Sequence, residues 1–127
     1  MRELNKDNFE IKFLNFKETN FDSPGLKVLY ESSDDSGTIV LSTYTQEDNQ
    51  KKKKNIIAGD FNIKVYQLIK TWKKKYNLDS DICDGVIWNL KIELKDNTIY
   101  KFSGHQSFPE NYELFVKFIN SFFTCNC

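Results

Sequence analysis

The residues best suited to chemistry are one histidine and the hydroxyl and carboxylate groups near it. His105 is the only histidine of the chain, and Ser103 and Ser107 flank it closely. If the C-terminal hairpin brings Asp84 close in space, an aspartate, a histidine and a serine together form a nucleophilic site. However, no serine lies in a Gly-x-Ser-x-Gly turn, and a histidine in a loop beside a glycine usually faces solvent. A hydrolase that uses His105 is one alternative.

The cysteines do not indicate a metal site. Cys125 and Cys127 are separated by one residue, whereas zinc ligands are usually spaced more widely, and they lie on a tail, 124–127, that we expect to fray. With Cys83 they make an odd number, which disfavours a disulfide framework. The chain also has no glycine-rich phosphate loop. We expect reduced thiols, no metal and no cofactor, and we favour a protein that is not an enzyme.

Acidic residues gather in predicted turns. The candidate partner-binding residues are Asp34, Asp35, Asp79, Asp81 and Asp84. Aspartate is favoured in turns for local hydrogen bonding alone, but a cluster of carboxylates also steers a charged partner.

The charge balance excludes a strong overall field. Lysine and arginine total 18, as do aspartate and glutamate, so nucleic acid and an anionic membrane are not expected partners. The run Lys51–Lys54 contains no aromatic residue that would stack on bases. There is no apolar run of signal-peptide or membrane-spanning length, and we expect a cytoplasmic protein.

The N-terminal half predicts an antiparallel meander. Phe9, Ile11 and Phe13 alternate with polar residues in a first strand, and two further strands follow over 26–31 and 38–44. Residues 46–55 have no apolar periodicity and predict a flexible, solvated loop.

A helix is predicted next, with Asp60 as its N-cap, Lys73–Lys75 in its last turn and Asn77 at its end. Its apolar stripe contains Phe61, Val65, Leu68, Ile69 and Trp72.

The C-terminal third predicts a hairpin followed by a second helix. Trp88, Leu90 and Ile92 alternate with polar residues, and Tyr100 and Phe102 share their buried side if the connection has an odd length. Asp96–Thr98 suits a three-residue turn in which Asn97 is left-handed. The second helix starts near Pro109 or Asn111. Its predicted core residues are Tyr112, Phe115, Val116, Ile119, Phe122 and Phe123.

These elements together predict one α+β domain over residues 1–127. We expect an antiparallel sheet of about five strands, in the order βββαββα, with both helices packed on the face that carries Trp88, Leu90 and Ile92.

The C-terminal third also carries a resemblance. The run Asp84–Trp88, then Gly104, then Phe108–Tyr112 resembles a recurrent C-terminal pattern of small uncharacterised proteins from low-GC Gram-positive bacteria or their phages. The dominance of lysine over arginine is in keeping with such an AT-rich origin. The resemblance implies a fold and an origin but no activity.

The function predicted from the sequence is association with another protein. A small domain without a recognisable reaction centre, whose charges are balanced but segregated, suits a protein that occupies another protein's surface. Immunity proteins and phage-encoded inhibitors of toxins or defence proteins work in this way. A small-molecule or nucleotide sequestering protein, with an aromatic-lined cavity between sheet and helices, is a further alternative.

Overall fold

The structure, a computed structural model, describes residues 6–20, 23–44, 49–77, 86–105 and 107–123. In these described residues, a short 3-10 helix at Lys6–Asn8 is followed by seven strands and two α-helices. The strands are β1 (Ile11–Asn20), β2 (Ser23–Ser33), β3 (Ser36–Tyr44), β4 (Asn49–Ile57), β5 (Lys75–Asn77), β6 (Ile87–Leu94) and β7 (Ile99–His105). The helices are α1 (Ala58–Ile69) and α2 (Tyr112–Ser121). No helix among these residues is long and apolar enough to cross a membrane.

All seven strands belong to one sheet in the order β4-β3-β2-β1-β6-β7-β5. Neighbouring strands are antiparallel except β5, which pairs with β7 in parallel. The predicted α+β class and the predominantly antiparallel sheet are confirmed, whereas the predicted number of about five strands is wrong. The two additional strands are β4 and β5, which form the two edges of the sheet.

Strand β4 occupies most of the stretch predicted as a flexible loop over 46–55. Its lysines pair in register with β3, so that Lys52 lies opposite Leu41 and Lys53 opposite Val40. This strand could not be recognised from the sequence because an edge strand needs only backbone hydrogen bonds to one neighbour and does not need an apolar face. Lysines on an edge also discourage pairing with a second molecule, which explains a lysine run without any ligand.

Helix α1 is displaced from its prediction. It begins at Ala58, with Ile57 rather than Asp60 at the N-cap, and Asp60 lies in the first turn. It ends at Ile69, so the predicted last turn at Lys73–Lys75 is wrong, and Lys75 begins β5 instead. Trp72 is buried beyond the helix end.

Both helices pack on the same face of the sheet, as predicted. From α1, Phe61 stacks on Tyr30 of β2 with ring centroids 4.1 Å apart. From α2, Phe115 meets Phe16 of β1 edge-on at 5.2 Å, and Tyr112 lies 5.2 Å from Trp88 of β6. Trp88, Leu90 and Ile92 are buried on this face.

The hairpin between β6 and β7 also follows the prediction in its main features. Leu90 pairs with Phe102 and Ile92 with Tyr100. Asn97 has a φ of 72°, in the left-handed region that asparagine tolerates. Leu94 and Thr98 are joined by a backbone hydrogen bond of 2.8 Å, so the connection is 95–97, one residue earlier than predicted.

The motif residues of the C-terminal third hold the two helices against the sheet. The Trp88 Nε1–H donates to the Ser107 carbonyl at 2.9 Å, and Gly104 lies so close to both that a β-carbon there would collide with them. The Asn111 side chain accepts from Trp72 Nε1 at 2.6 Å and donates to the Leu68 carbonyl at 2.5 Å. In this chain, therefore, these motif residues have a structural role.

Candidate functional site

The side of the sheet opposite the helices is not covered by any described element, and we call it the open face. In β6, at the middle of the sheet, exposed or half-buried residues alternate regularly with buried residues, and the exposed ones lie on the open face. The open-face side chains that matter below are Phe13, Asn15, Lys17, Lys27, Leu29, Glu31, Val40, Lys91, Glu93 and Lys101.

An apolar patch on the open face is formed by three residues of the neighbouring strands β1, β2 and β3, namely Phe13, Leu29 and Val40. Phe13 is 41% exposed and Leu29 is 40% exposed. The three residues line a depression of about 620 Å³. Its charged lining residues are Glu31, Lys53, Lys91 and Glu93. Large apolar side chains exposed together mark binding surfaces more often than isolated ones do.

Phe13 reaches the open face because of a bulge in β1. Ile11 pairs with Leu94 and Phe13 with Glu93, so Lys12 is the additional residue. The regular alternation of Phe9, Ile11 and Phe13 in the sequence is therefore interrupted in the structure, where Ile11 is buried and Phe13 is exposed on the other side. Bulges redirect a side chain in this way and are common beside functional sites. Beside the ring, Lys12 Nζ lies 5.5 Å from the Phe13 centroid and 3.5 Å from Glu93 Oε2.

A lysine patch adjoins the apolar patch. Six lysines line a second depression of about 560 Å³, together with Asn15, Asn89 and Ser103 but with no carboxylate. These lysines are Lys17, Lys27, Lys74, Lys75, Lys91 and Lys101. Asn15 and Lys91 line both depressions, so the two patches form one continuous surface.

The register places lysines directly opposite one another in the lysine patch. Lys17 pairs with Lys27 across β1 and β2, and Lys91 pairs with Lys101 across β6 and β7. Like charges opposite each other on one face of a sheet are destabilising. The open face therefore carries two unfavourable lysine pairs in adjacent rows, and no described element covers them.

The hydrolase residues do not form a catalytic group among the described residues. His105 is half-buried at the end of β7, opposite Ile87 of β6 and Asn77 of β5, and its Nε2 has no hydrogen-bond partner. Ser103 lies on the same face, opposite Asn89 and Lys75, and the described contact of Ser107 is its carbonyl to Trp88. Asp84 lies outside the described residues.

The acidic candidates divide into a turn and a segment outside the described residues. Asp34 and Asp35 are exposed in the turn between β2 and β3, where Asp34 has a φ of 53° and the Asp35 carbonyl accepts from the Ala58 N–H at 3.0 Å. Both residues thus have a local structural role. Asp79, Asp81 and Asp84 all fall in the undescribed 78–85.

Metal-ligating groups do not cluster in the described part of the chain. No set of three or more histidine, cysteine, aspartate or glutamate side chains there is arranged to hold an ion. Cys83, Cys125 and Cys127 lie outside the described residues, so the expectation of free thiols stays a prediction.

Two buried tyrosines face the helix side, away from the open face. Burial raises the pKa of Tyr30 to about 12. Burial also raises the pKa of Tyr112, with further contributions from its hydrogen bond to Glu18 and from that residue's charge. The Tyr112 hydroxyl donates to Glu18 Oε1 at 2.5 Å.

These tyrosines predict a loss of stability in alkali. Unfolded tyrosine ionises near pH 10, while both buried side chains keep their protons, so the unfolded state releases protons first. The free energy of unfolding should therefore fall as the pH rises from about 10 to about 12, and fall less steeply in a Tyr30→Phe, Tyr112→Phe double variant. Urea titrations over this pH range measure the free energy of unfolding. The control is Tyr66→Phe, at a tyrosine that is only half-buried. Equal slopes for wild type and double variant would contradict the assignment.

Sequence reasoning missed the open face as a site. Alternation already indicated that Lys27 and Lys91 face water. What it did not give was the pairing of β1 between β2 and β6, which joins lysines far apart in the sequence into one patch. Phe13 was missed because a bulge leaves no clear signal in the residue pattern.

Comparison with known proteins adds no relative: no protein-family model, curated protein or solved structure matches the chain.

Proposed function

We propose that this chain is a non-catalytic protein-binding module that acts by stoichiometric association through the open face. The observation that carries the proposal is that one whole side of the sheet is left uncovered by the described elements, while the opposite side holds both helices. On the uncovered side, Phe13 and Leu29 expose about two fifths of their surface, and six lysines line an adjoining second depression that has no carboxylate.

The arrangement has the parts of a protein interface. An apolar centre with charged groups around it matches the usual division into a dehydrated core and a polar rim. The two adjoining depressions share Asn15 and Lys91 and form one continuous surface, which suits a folded partner. An immunity protein or a phage-encoded inhibitor of a toxin or defence protein is the class that fits best.

The proposal moves the partner-binding site away from the acidic turns. Asp34 and Asp35 have turn geometry to account for them, whereas no local structural need accounts for the lysine pairs Lys17–Lys27 and Lys91–Lys101. The acidic turns remain a competing site that the same experiment can distinguish.

The sequestering alternative has less support. Between sheet and helices, Trp72 meets Trp88 at 5.4 Å, Phe115 at 5.3 Å and Phe102 at 5.8 Å. Rings at such distances are in contact, so aromatic side chains occupy the region where a ligand cavity was expected.

The test is capture of a partner, compared across variants. The tagged chain is expressed in the organism that encodes it, together with the products of neighbouring genes. We expect one protein to co-purify in a one-to-one complex, as measured by size-exclusion chromatography with light scattering. Its recovery should survive Asp34→Lys with Asp35→Lys and fail with Leu29→Gln. Loss with the aspartate variant alone would return the site to the acidic turns, and recovery of no complex would contradict the proposed function.

A further inference from the structure

We infer that the lysine patch recognises carboxylates, so that the partner presents an acidic segment beside an apolar one. This inference rests on the proposed function and specifies the chemistry of the partner. It starts from the number of lysines, six, lining one depression without a carboxylate. In a chain with zero net charge, such a concentration of one sign is local and is not a consequence of composition.

Five of the six lysines lie in two rows across the sheet, and Lys74 immediately precedes β5. In the first row, Lys27 and Lys17 are followed by Asn89, Ser103 and Lys75 on successive strands. In the second row, Lys91 and Lys101 follow Asn15. Rows two residues apart along a strand are separated by about 7 Å, and four neighbouring strands span about 14 Å. An acidic helix or loop of a partner can face both rows at once.

The repulsion within the two lysine pairs supports a role of the lysine patch in binding an anionic ligand. Each pair, Lys17–Lys27 and Lys91–Lys101, is unfavourable in the free protein, and no described carboxylate lies within ion-pair distance of these four ammonium groups. An anionic partner relieves the repulsion in both pairs when it binds.

The composition of the open face favours a protein over nucleic acid. Glu31 and Glu93 border the apolar patch on the same face and would repel phosphates. Single-stranded nucleic acid needs a series of aromatic rings on which successive bases stack, whereas Phe13 and the half-buried His105 carry the only rings among the open-face side chains that the structure describes. Leu29 and Val40, beside the lysines, suit an apolar segment of a protein.

The decisive variant changes one lysine of each pair to glutamate: Lys17→Glu with Lys101→Glu. Each substitution places a glutamate opposite a lysine, so both repulsive pairs become attractive. We expect a denaturation midpoint equal to or above that of the wild type, together with at least a 30-fold loss of affinity for an acidic probe. A merely structural role of these lysines would not separate the two readouts in this way.

The matched control is Lys64→Glu with Lys117→Glu. These exposed lysines lie on α1 and α2, on the other side of the molecule, and the net charge changes by the same amount. We expect this control to retain the wild-type affinity within about threefold, since distant exposed charges are largely screened at physiological salt.

The binding probes are fluorescently labelled poly-L-glutamate and a labelled oligothymidylate of equal charge. We expect salt-sensitive binding of poly-L-glutamate by the wild type and the control, and its loss in the patch variant. Tighter binding of oligothymidylate would overturn the inference in favour of nucleic acid, and equal binding by both variants would overturn the placement. If a protein complex forms but is insensitive to salt and to the patch variant, this inference fails while the proposed function stands.

Discussion

Trp88→Ala should destabilise the protein by about 3–5 kcal/mol, the usual range for truncating a large buried aromatic residue. The Trp88 side chain is completely buried, and its ring contacts Trp72 after the end of α1, Tyr76 of β5 and Tyr112 of α2. Its indole N–H also donates to the Ser107 carbonyl. Because a small domain is stable by only about 5–15 kcal/mol in total, such a loss is a large fraction of its stability.

The matched control for this prediction is Ile87→Ala. Ile87 precedes Trp88 on β6 but points to the open face and is 46% exposed. We expect this substitution to change the free energy of unfolding by less than about 1 kcal/mol, as surface substitutions usually do. Chemical denaturation followed by far-UV circular dichroism measures both. An unchanged midpoint for Trp88→Ala would show that β6 is assigned to the wrong face.

Phe13→Gln combined with Leu29→Gln should weaken partner binding by about 2–4 kcal/mol, equal to roughly 30- to 1,000-fold in affinity. Both side chains lie at the centre of the proposed interface, where truncation removes the apolar contact that a partner makes. Glutamine keeps the net charge constant, so any loss reflects the apolar patch and not the lysine patch. Isothermal titration calorimetry with the captured partner measures the change.

The control for this second prediction uses exposed apolar residues on the helices. Ile63 of α1 is 52% exposed and Leu114 of α2 is 58% exposed. Ile63→Gln with Leu114→Gln should leave the affinity unchanged within about twofold, because neither residue contacts the open face. If the helix variant loses affinity and the sheet variant does not, the partner binds the helix side.

The fold of the C-terminal half could be predicted because the residue types there indicate which side chains are buried. Trp88, Leu90 and Ile92 alternate cleanly with polar residues, and a helix as aromatic as α2 can only be stable against a core. The left-handed conformation of Asn97 could also be predicted. Tyr100 and Phe102 must lie on the buried side, which requires a connection of odd length, and a three-residue turn has a left-handed residue.

The edge strands and the candidate site were not predictable in the same way. The run Lys51–Lys54 is part of β4 because it forms backbone hydrogen bonds with β3. This tertiary interaction outweighs the low strand preference of lysine. Lys75 joins β5 only because β7 lies alongside in parallel. The lysine patch depends on register between strands separated by up to about half the chain, which residue periodicity does not contain.

The central claim is that a protein partner covers the open face, and lysine reactivity in the purified complex tests it most directly. Free and bound chains are labelled with an amine-reactive acetylating reagent, and each lysine is quantified by mass spectrometry. We expect four lysines of the open face to lose most of their reactivity on binding, namely Lys17, Lys27, Lys91 and Lys101, while Lys64 of α1 and Lys117 of α2 keep theirs. Protection of Lys64 and Lys117, with the four open-face lysines still reactive, would contradict it.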